Sequence, residues 1–119
     1  MDLKTSDITP EIVEYIKQKL ISTIEPEKII IFGSYAKGNR DSHSDLDLFI
    51  ITKKYANLRI DHRAGKVSAL FRPRFFPMDV LVYTPFEIKR QIQNDDFFIR
   101  DILDNGKLIY ERPQKTQIK

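Results

Sequence analysis

The chain has 119 residues, 20 Lys and Arg against 17 Asp and Glu, and a formal net charge of +3 at pH 7. This length fits one domain, and a hydrophobic fraction of 41% with 31% charged residues is ordinary for a globular protein. The absence of cysteine excludes disulfides and thiolate zinc sites. Residues 1–5 carry no apolar signal region and no apolar run reaches the roughly 20 residues of a membrane span, so we expect a cytoplasmic protein without membrane contact.

Helical spacing and short apolar runs alternate along the chain and predict an α/β (α+β) domain, a β-sheet covered by helices. Residues 28–32, for example, are too few for a helix and rich in β-branched side chains, which favours a buried strand. We expect one domain over 1–111 and a polar tail over 112–119. The expected elements are a helix from Thr9 and Pro10 to Pro26, a strand at 28–32, a short helix starting near Ser34, a strand at 46–51, a helix at 55–70, a strand at 78–83, a helix from Thr84 to Asn105 and a strand at 107–110.

The segment from Gly33 to Asp47 is the most informative part of the chain. Gly33 and Ser34 follow the first strand, where a residue without a side chain lets a phosphate approach and a serine offers a hydroxyl and an N–H. Asp45 and Asp47 point to one face of the second strand, because side chains alternate along a strand. Adjacent carboxylates repel each other unless a cation lies between them, and hard oxygen ligands suit Mg²⁺.

Asp79 is a third acid, one residue into an otherwise apolar strand, where an unpaired charge is costly. If the starts of the second and third strands are neighbours, three carboxylates surround one or two Mg²⁺ ions. That arrangement suits nucleotidyl transfer, in which cations neutralise a triphosphate and stabilise the attacking and leaving oxygens. The residues therefore predict a metal-dependent enzyme that uses a nucleoside triphosphate.

Two further groups of residues allow more than one interpretation. Seven Lys or Arg against one acid lie between Lys53 and Arg74, either as a solvated helix face or as a positive surface for a triphosphate or an acidic partner. The absence of a second domain argues against direct nucleic-acid binding. Four phenylalanines are candidates for a partner interface, with core packing expected for at least half of them: Phe75, Phe76, Phe97 and Phe98.

The run from Gly33 to Gly38, together with Ser44 to Leu48, closely resembles the signature of the minimal nucleotidyltransferases of the DNA polymerase β-like superfamily. The resemblance covers most of the chain and implies the polymerase β-like palm fold, with a small mixed sheet flanked by helices. It implies that Gly33 and Ser34 bind the nucleotide phosphates. It also implies that Asp45, Asp47 and Asp79 are catalytic and bind Mg²⁺.

The same resemblance implies a biological role. Small members of this family act as antitoxins beside an all-helical HEPN ribonuclease toxin, and some transfer AMP from ATP to a tyrosine of that toxin. The chain is short for a complete acceptor site, so we expect a partner protein to complete the cleft. Two alternatives remain open: an antitoxin that only binds the toxin, and a small-molecule nucleotidyltransferase of the aminoglycoside type.

Overall fold

The structure is a computed structural model that describes residues 8–33, 36, 45–73 and 76–113. Four helices and four strands occupy these residues, and the strands lie within a residue of the expected positions. The elements are α1 (Pro10–Ile24), β1 (Lys28–Phe32), β2 (Leu46–Ile51), α2 (Ile60–Ala69), β3 (Met78–Tyr83), α3 (Pro85–Gln93), α4 (Phe97–Asn105) and β4 (Lys107–Glu111). The short helix expected at Ser34 lies outside the described residues.

The strands form one mixed sheet in the order β3-β2-β1-β4. β1 pairs antiparallel with both β2 and β4, whereas β2 and β3 are parallel. Because β2 and β3 run the same way, their first residues meet at one edge of the sheet, and the loop after β1 returns to that same edge. The fold is therefore the expected mixed sheet with flanking helices.

Each face of the sheet is covered by one pair of helices. The first face buries Ile31, Leu48 and Val82 under α1 and α2. The second face buries Ile30 and Phe49 under α3 and α4. This division follows from the alternation of side chains along each strand, because the strands are apolar on both sides and need cover on both. The helix residues that supply the cover are Ile16, Leu20, Ile24 and Val67 on the first face, and Ile88, Ile99 and Ile102 on the second.

The helix starts that the sequence indicated are formed by local hydrogen bonds. The Thr9 side chain accepts a bond from the Ile12 N–H at 3.2 Å, and Pro10 occupies the first turn of α1. Thr84 and Glu87 form a reciprocal capping box at α3, each side chain accepting from the other's backbone N–H, at 3.2 and 2.9 Å. Such caps satisfy N–H groups that have no partner within the helix.

The helix expected at 55–70 begins later, at Ile60. Tyr55 has a positive φ of 64°, which is incompatible with a helix, and the following residues form turns. The reason is tertiary. The buried Arg63 guanidinium donates hydrogen bonds to the backbone carbonyls of Tyr55, Ala56 and Leu58, which in a continuous helix would bond within the helix instead.

The single helix expected from Thr84 to Asn105 is wrong, because the chain breaks between α3 and α4. Asp95 has a positive φ of 59°, and Asp96 begins α4 by accepting the Ile99 N–H at 3.1 Å. The apolar spacing continues across the break, which concealed it in the sequence. The break redirects α4 across β1, where Ile99 and Ile102 become buried.

Candidate active site

The pairing of β2 with β3 brings together two of the expected carboxylates. Asp47 and Asp79 are register partners on neighbouring parallel strands, which lie about 4.8 Å apart, so their side chains project from the same face. Asp45 precedes β2 and is two residues from Asp47, on the same side of the chain. Asp45 and Asp79 are exposed, whereas Asp47 is half-buried. We call Asp45, Asp47 and Asp79 the carboxylate cluster.

Gly33 lies directly opposite this cluster. Its φ of 77° is in the left-handed region, and a Cβ added there would overlap the Asp47 carboxylate oxygen Oδ2. Both facts require glycine, since an L-residue would be strained and would collide with the acid. The glycine therefore lets the loop after β1 pass close to Asp47. Ser34, the other expected phosphate ligand, lies outside the described residues.

The surroundings of Asp47 disfavour its charge. Burial raises the pKa of Asp47 above its usual 3.8, and the negative charges of Asp79 and Asp45 raise that pKa further. Each of these causes disfavours the ionised form of Asp47. A cation or another positive group at the cluster would relieve the same repulsion.

The donor set fits a hard divalent cation, because carboxylate oxygens are the ligands that Mg²⁺ takes in proteins. Within the described part of the chain, however, no three His, Asp or Glu side chains are close enough together to hold a metal ion. Among the described residues, the carboxylate cluster therefore has the donor atoms of an Mg²⁺ site but not the spacing of three ligands around one ion.

Helix α4 forms a wall beside Gly33. A narrow crevice of about 20 Å³ separates Phe32 and Gly33 from Asp101, Ile102 and Asn105. The next residue of this wall, Phe98, meets the Phe32 ring edge-to-face, with centroids 6.0 Å apart. Nothing in the sequence indicated that α4 borders the site, because its direction depends on the break at Asp95 and Asp96.

The basic segment is only in part a positive surface. Arg63 is buried and forms an ion pair with Glu87, whereas Lys53 and Lys54 are exposed beyond the carboxyl end of β2, at the opposite edge of the sheet from the carboxylate cluster.

The four phenylalanines differ in exposure. Phe76 is buried in the core, Phe97 and Phe98 are exposed, and Phe75 lies outside the described residues.

Comparison with known proteins identifies the family. The family model described as polymerase beta nucleotidyltransferase matches residues 14–115, which includes every described residue of the cluster. The chain belongs to this nucleotidyltransferase family. Its fold, with a mixed sheet whose parallel strands bring two carboxylates together opposite a glycine, is thus that of a nucleotidyltransferase enzyme, and the family implies a nucleoside triphosphate substrate.

Two relatives of this nucleotidyltransferase come from the archaeon Methanocaldococcus jannaschii, and both are described as candidate protein adenylyltransferases. One is 34% identical over 101 residues, covering 81% of this chain and 96% of the relative. The other is 39% identical over 110 residues, covering 90% of this chain and 72% of the relative. A candidate nucleotidyltransferase from Sulfolobus solfataricus has the same fold, with a TM-score of 0.59 and 22% identity over 86% of this chain and 79% of its own.

The structure contains no helix, within the residues it describes, that is long and apolar enough to span a membrane.

Proposed function

We propose that this nucleotidyltransferase transfers AMP from ATP to a hydroxyl group, most simply a tyrosine, of a partner protein. The observation that carries the proposal is the pairing of Asp47 with Asp79 on parallel strands, beside a glycine whose missing side chain lets the Asp47 carboxylate approach the backbone. The acceptor oxygen forms a bond to the α-phosphorus. The bond between that phosphorus and the oxygen bridging to the β-phosphate breaks, and pyrophosphate leaves.

The proposal assigns separate roles to the residues of the site. Asp45, Asp47 and Asp79 would hold Mg²⁺, which supplies positive charge to the triphosphate and to the attacking oxygen. Gly33 and Ser34 bind the phosphates through backbone N–H groups and the serine hydroxyl. Asp79, exposed at the start of β3, takes up the hydroxyl proton.

A protein acceptor is supported by the two archaeal relatives, each described as a candidate protein adenylyltransferase. We assign the acceptor to an all-helical HEPN-type ribonuclease toxin, which the resemblance of the signature motif implies. AMP transfer to that toxin would make this chain its antitoxin.

The test is the intact mass of a helical partner protein encoded beside this chain, after the two are co-expressed. The unmodified chain should add one or more AMP units to the partner. A chain carrying Asp45→Asn and Asp47→Asn should add none. Asp61→Asn serves as the matched control, because Asp61 is an exposed acid on α2 and should leave the AMP addition unchanged.

Two results would replace the proposal. If the partner gains no mass but still co-purifies with the double variant, and its toxicity stays suppressed, the chain neutralises the toxin by binding alone. If the chain consumes ATP with an aminoglycoside and leaves every partner protein unmodified, the acceptor is a small molecule. The first alternative keeps the interface and removes the chemistry, whereas the second keeps the chemistry and removes the protein partner.

A further inference from the structure

One side of helix α4 borders the site at Gly33 and extends away from it. Phe98, Asp101, Ile102 and Asn105 are three or four residues apart, so they share one side of the helix. Ile102 is buried against the sheet, and Asp101 accepts a hydrogen bond from the Asn105 side-chain amide at 2.8 Å. Together the four residues form a wall that runs from Gly33 to Phe98.

Phe98 contacts the carboxylate strands indirectly, through Phe32. Its ring contacts Phe32 edge-to-face at 6.0 Å, and Phe32 is the register partner of Asp47 on the neighbouring strand. Phe32 and Asp47 therefore project from the same face of the sheet. Phe98 lies one ring contact away from the strand pair that carries the carboxylate cluster, yet 53% of its surface is exposed.

The other exposed phenylalanines of the described residues lack this connection. Phe86 is 66% exposed at the start of α3, at the opposite edge of the sheet, and its ring lies 5.9 Å from the Arg90 guanidinium carbon. Phe97 is 80% exposed, and its place in α4, about 100° around the helix axis from Phe98, turns it away from the wall. These two residues are suitable controls.

We propose that Phe98 is the stacking platform for the base of the bound nucleoside triphosphate, and that the site therefore prefers purine triphosphates. This inference rests on the proposed function. With the phosphates at Gly33 and the carboxylate cluster, the described residues of α4 offer the nucleoside two places, the crevice between Gly33 and α4 or the exposed side of α4. The crevice between Gly33 and α4 has about 20 Å³, room for a single water, so the nucleoside extends along α4 towards Phe98.

The chemistry of this wall suits a base better than a phosphate. Asp101 is acidic and exposed, which repels phosphate groups, whereas an exposed aromatic ring offers a face on which any base stacks. Purines present a larger aromatic surface than pyrimidines and gain more from stacking. The Asp101 carboxylate and the Asn105 amide are hydrogen-bonding groups beside that path.

The experiment measures dissociation constants of MgATP, MgGTP, MgCTP and MgUTP by isothermal titration calorimetry with the full chain. Phe98→Ala and Phe98→Leu should weaken ATP and GTP binding by roughly tenfold to a hundredfold, the range that base–aromatic stacking supplies, and should narrow the preference for purines. Phe98→Tyr keeps an aromatic face and should bind like the unmodified chain. Phe97→Ala and Phe86→Ala should change the dissociation constants by less than about threefold.

The outcomes separate this inference from the proposed function. If the unmodified chain binds none of the four nucleotides, the proposed transfer reaction itself fails. If it binds ATP and the Leu and Ala variants bind equally well, the stacking assignment is wrong while the reaction stands. Phe98→Leu keeps an apolar side chain of similar bulk, so a folding defect in Phe98→Ala leaves the test intact. If Phe98→Leu raises only the KM for the acceptor protein, the assignment is also wrong and Phe98 belongs to the protein interface.

Discussion

The two edges of the sheet hold charged side chains in opposite ways. At the amino ends of β2 and β3, the acids Asp47 and Asp79 lie side by side and the pKa of Asp47 is raised by burial and by like charge. At the carboxyl ends, the buried Arg63 guanidinium donates two hydrogen bonds to the Glu87 carboxylate, at 2.6 and 2.8 Å. Its remaining donors bond to backbone carbonyls at Tyr55, Ala56, Leu58 and Val82.

The two sites separate a functional charge from a structural one. The Arg63–Glu87 pair is complete within the chain, since hydrogen bonds lower the pKa of Glu87 and raise that of Arg63, and both shifts favour the charged forms. Asp47 has the opposite environment, because burial and the negative charges of Asp79 and Asp45 raise its pKa and disfavour its ionised form. Unfavourable charge that a fold retains is typical of a binding or catalytic site.

The largest expected effect comes from Asp47→Asn. Removal of this carboxylate should lower the rate of AMP transfer on the order of a hundredfold to a thousandfold, as loss of one preorganised electrostatic group does. Because the change also removes like-charge repulsion, the midpoint temperature of unfolding without divalent cations should stay the same or rise. Radiolabelled AMP incorporation and thermal denaturation measure the two quantities. A fall in stability together with activity would place Asp47 in the structural class of Arg63.

Arg63→Met tests the opposite edge. It leaves Glu87 without its partner and should lower the free energy of unfolding by about 3–5 kcal/mol, as breaking a buried ion pair does. Arg59→Met is the control, because Arg59 and Asp61 form an exposed pair at 3.4 Å that is worth at most about 1 kcal/mol. Urea denaturation gives both values. Equal effects of the two variants would contradict a structural role for Arg63.

Gly33→Ala should lower both the stability of the protein and its AMP transfer. The left-handed φ of 77° alone should cost about 1–3 kcal/mol of unfolding free energy, and the new Cβ also meets the Asp47 carboxylate. Gly65→Ala is the matched control, since Gly65 lies in α2 with open space around it and alanine favours a helix. We therefore expect Gly65→Ala to be neutral or stabilising. Urea denaturation compares the two variants, and AMP transfer should be lost only in Gly33→Ala.

The smallest expected effect is a difference in pH dependence between the two edges. The pKa of Glu87 lies below its usual 4.5, so its contribution to stability is present above pH 4.5 and is lost as pH falls through the lowered value. The pKa of Asp47 lies above its usual 3.8, so its contribution is present below pH 3.8 and is lost as pH rises through the raised value.

Two variants measure these opposite slopes. Glu87→Gln should reduce the loss of stability that occurs as pH falls below 4.5. Asp47→Asn should reduce the loss of stability that occurs as pH rises above 3.8. Unfolding free energies between pH 3 and pH 7, without divalent cations, provide the comparison. Slopes of the same sign for the two residues would mean that the edges do not differ as described.

The sequence was sufficient wherever the information is local. Thr9 with Pro10 and Thr84 with Pro85 start helices at the residues the sequence indicated, because a cap needs only its own first turn. The four strands were predicted for a similar reason, since short β-branched runs need no distant contact to be recognised. The break at Asp95 and Asp96 was missed, because the apolar spacing of the helix continued across it.

The sequence alone established the strands, the caps of α1 and α3, and the pattern of glycine and acids that identifies the family, because these depend on residues close together in the chain. Only the tertiary structure decided which strands pair, that Asp79 lies beside Asp47, that Arg63 is neutralised by Glu87, and that Phe98 reaches Phe32. The last three of these contacts join residues 32, 24 and 66 positions apart, and chain entropy opposes such contacts until the packing of the whole sheet fixes their geometry.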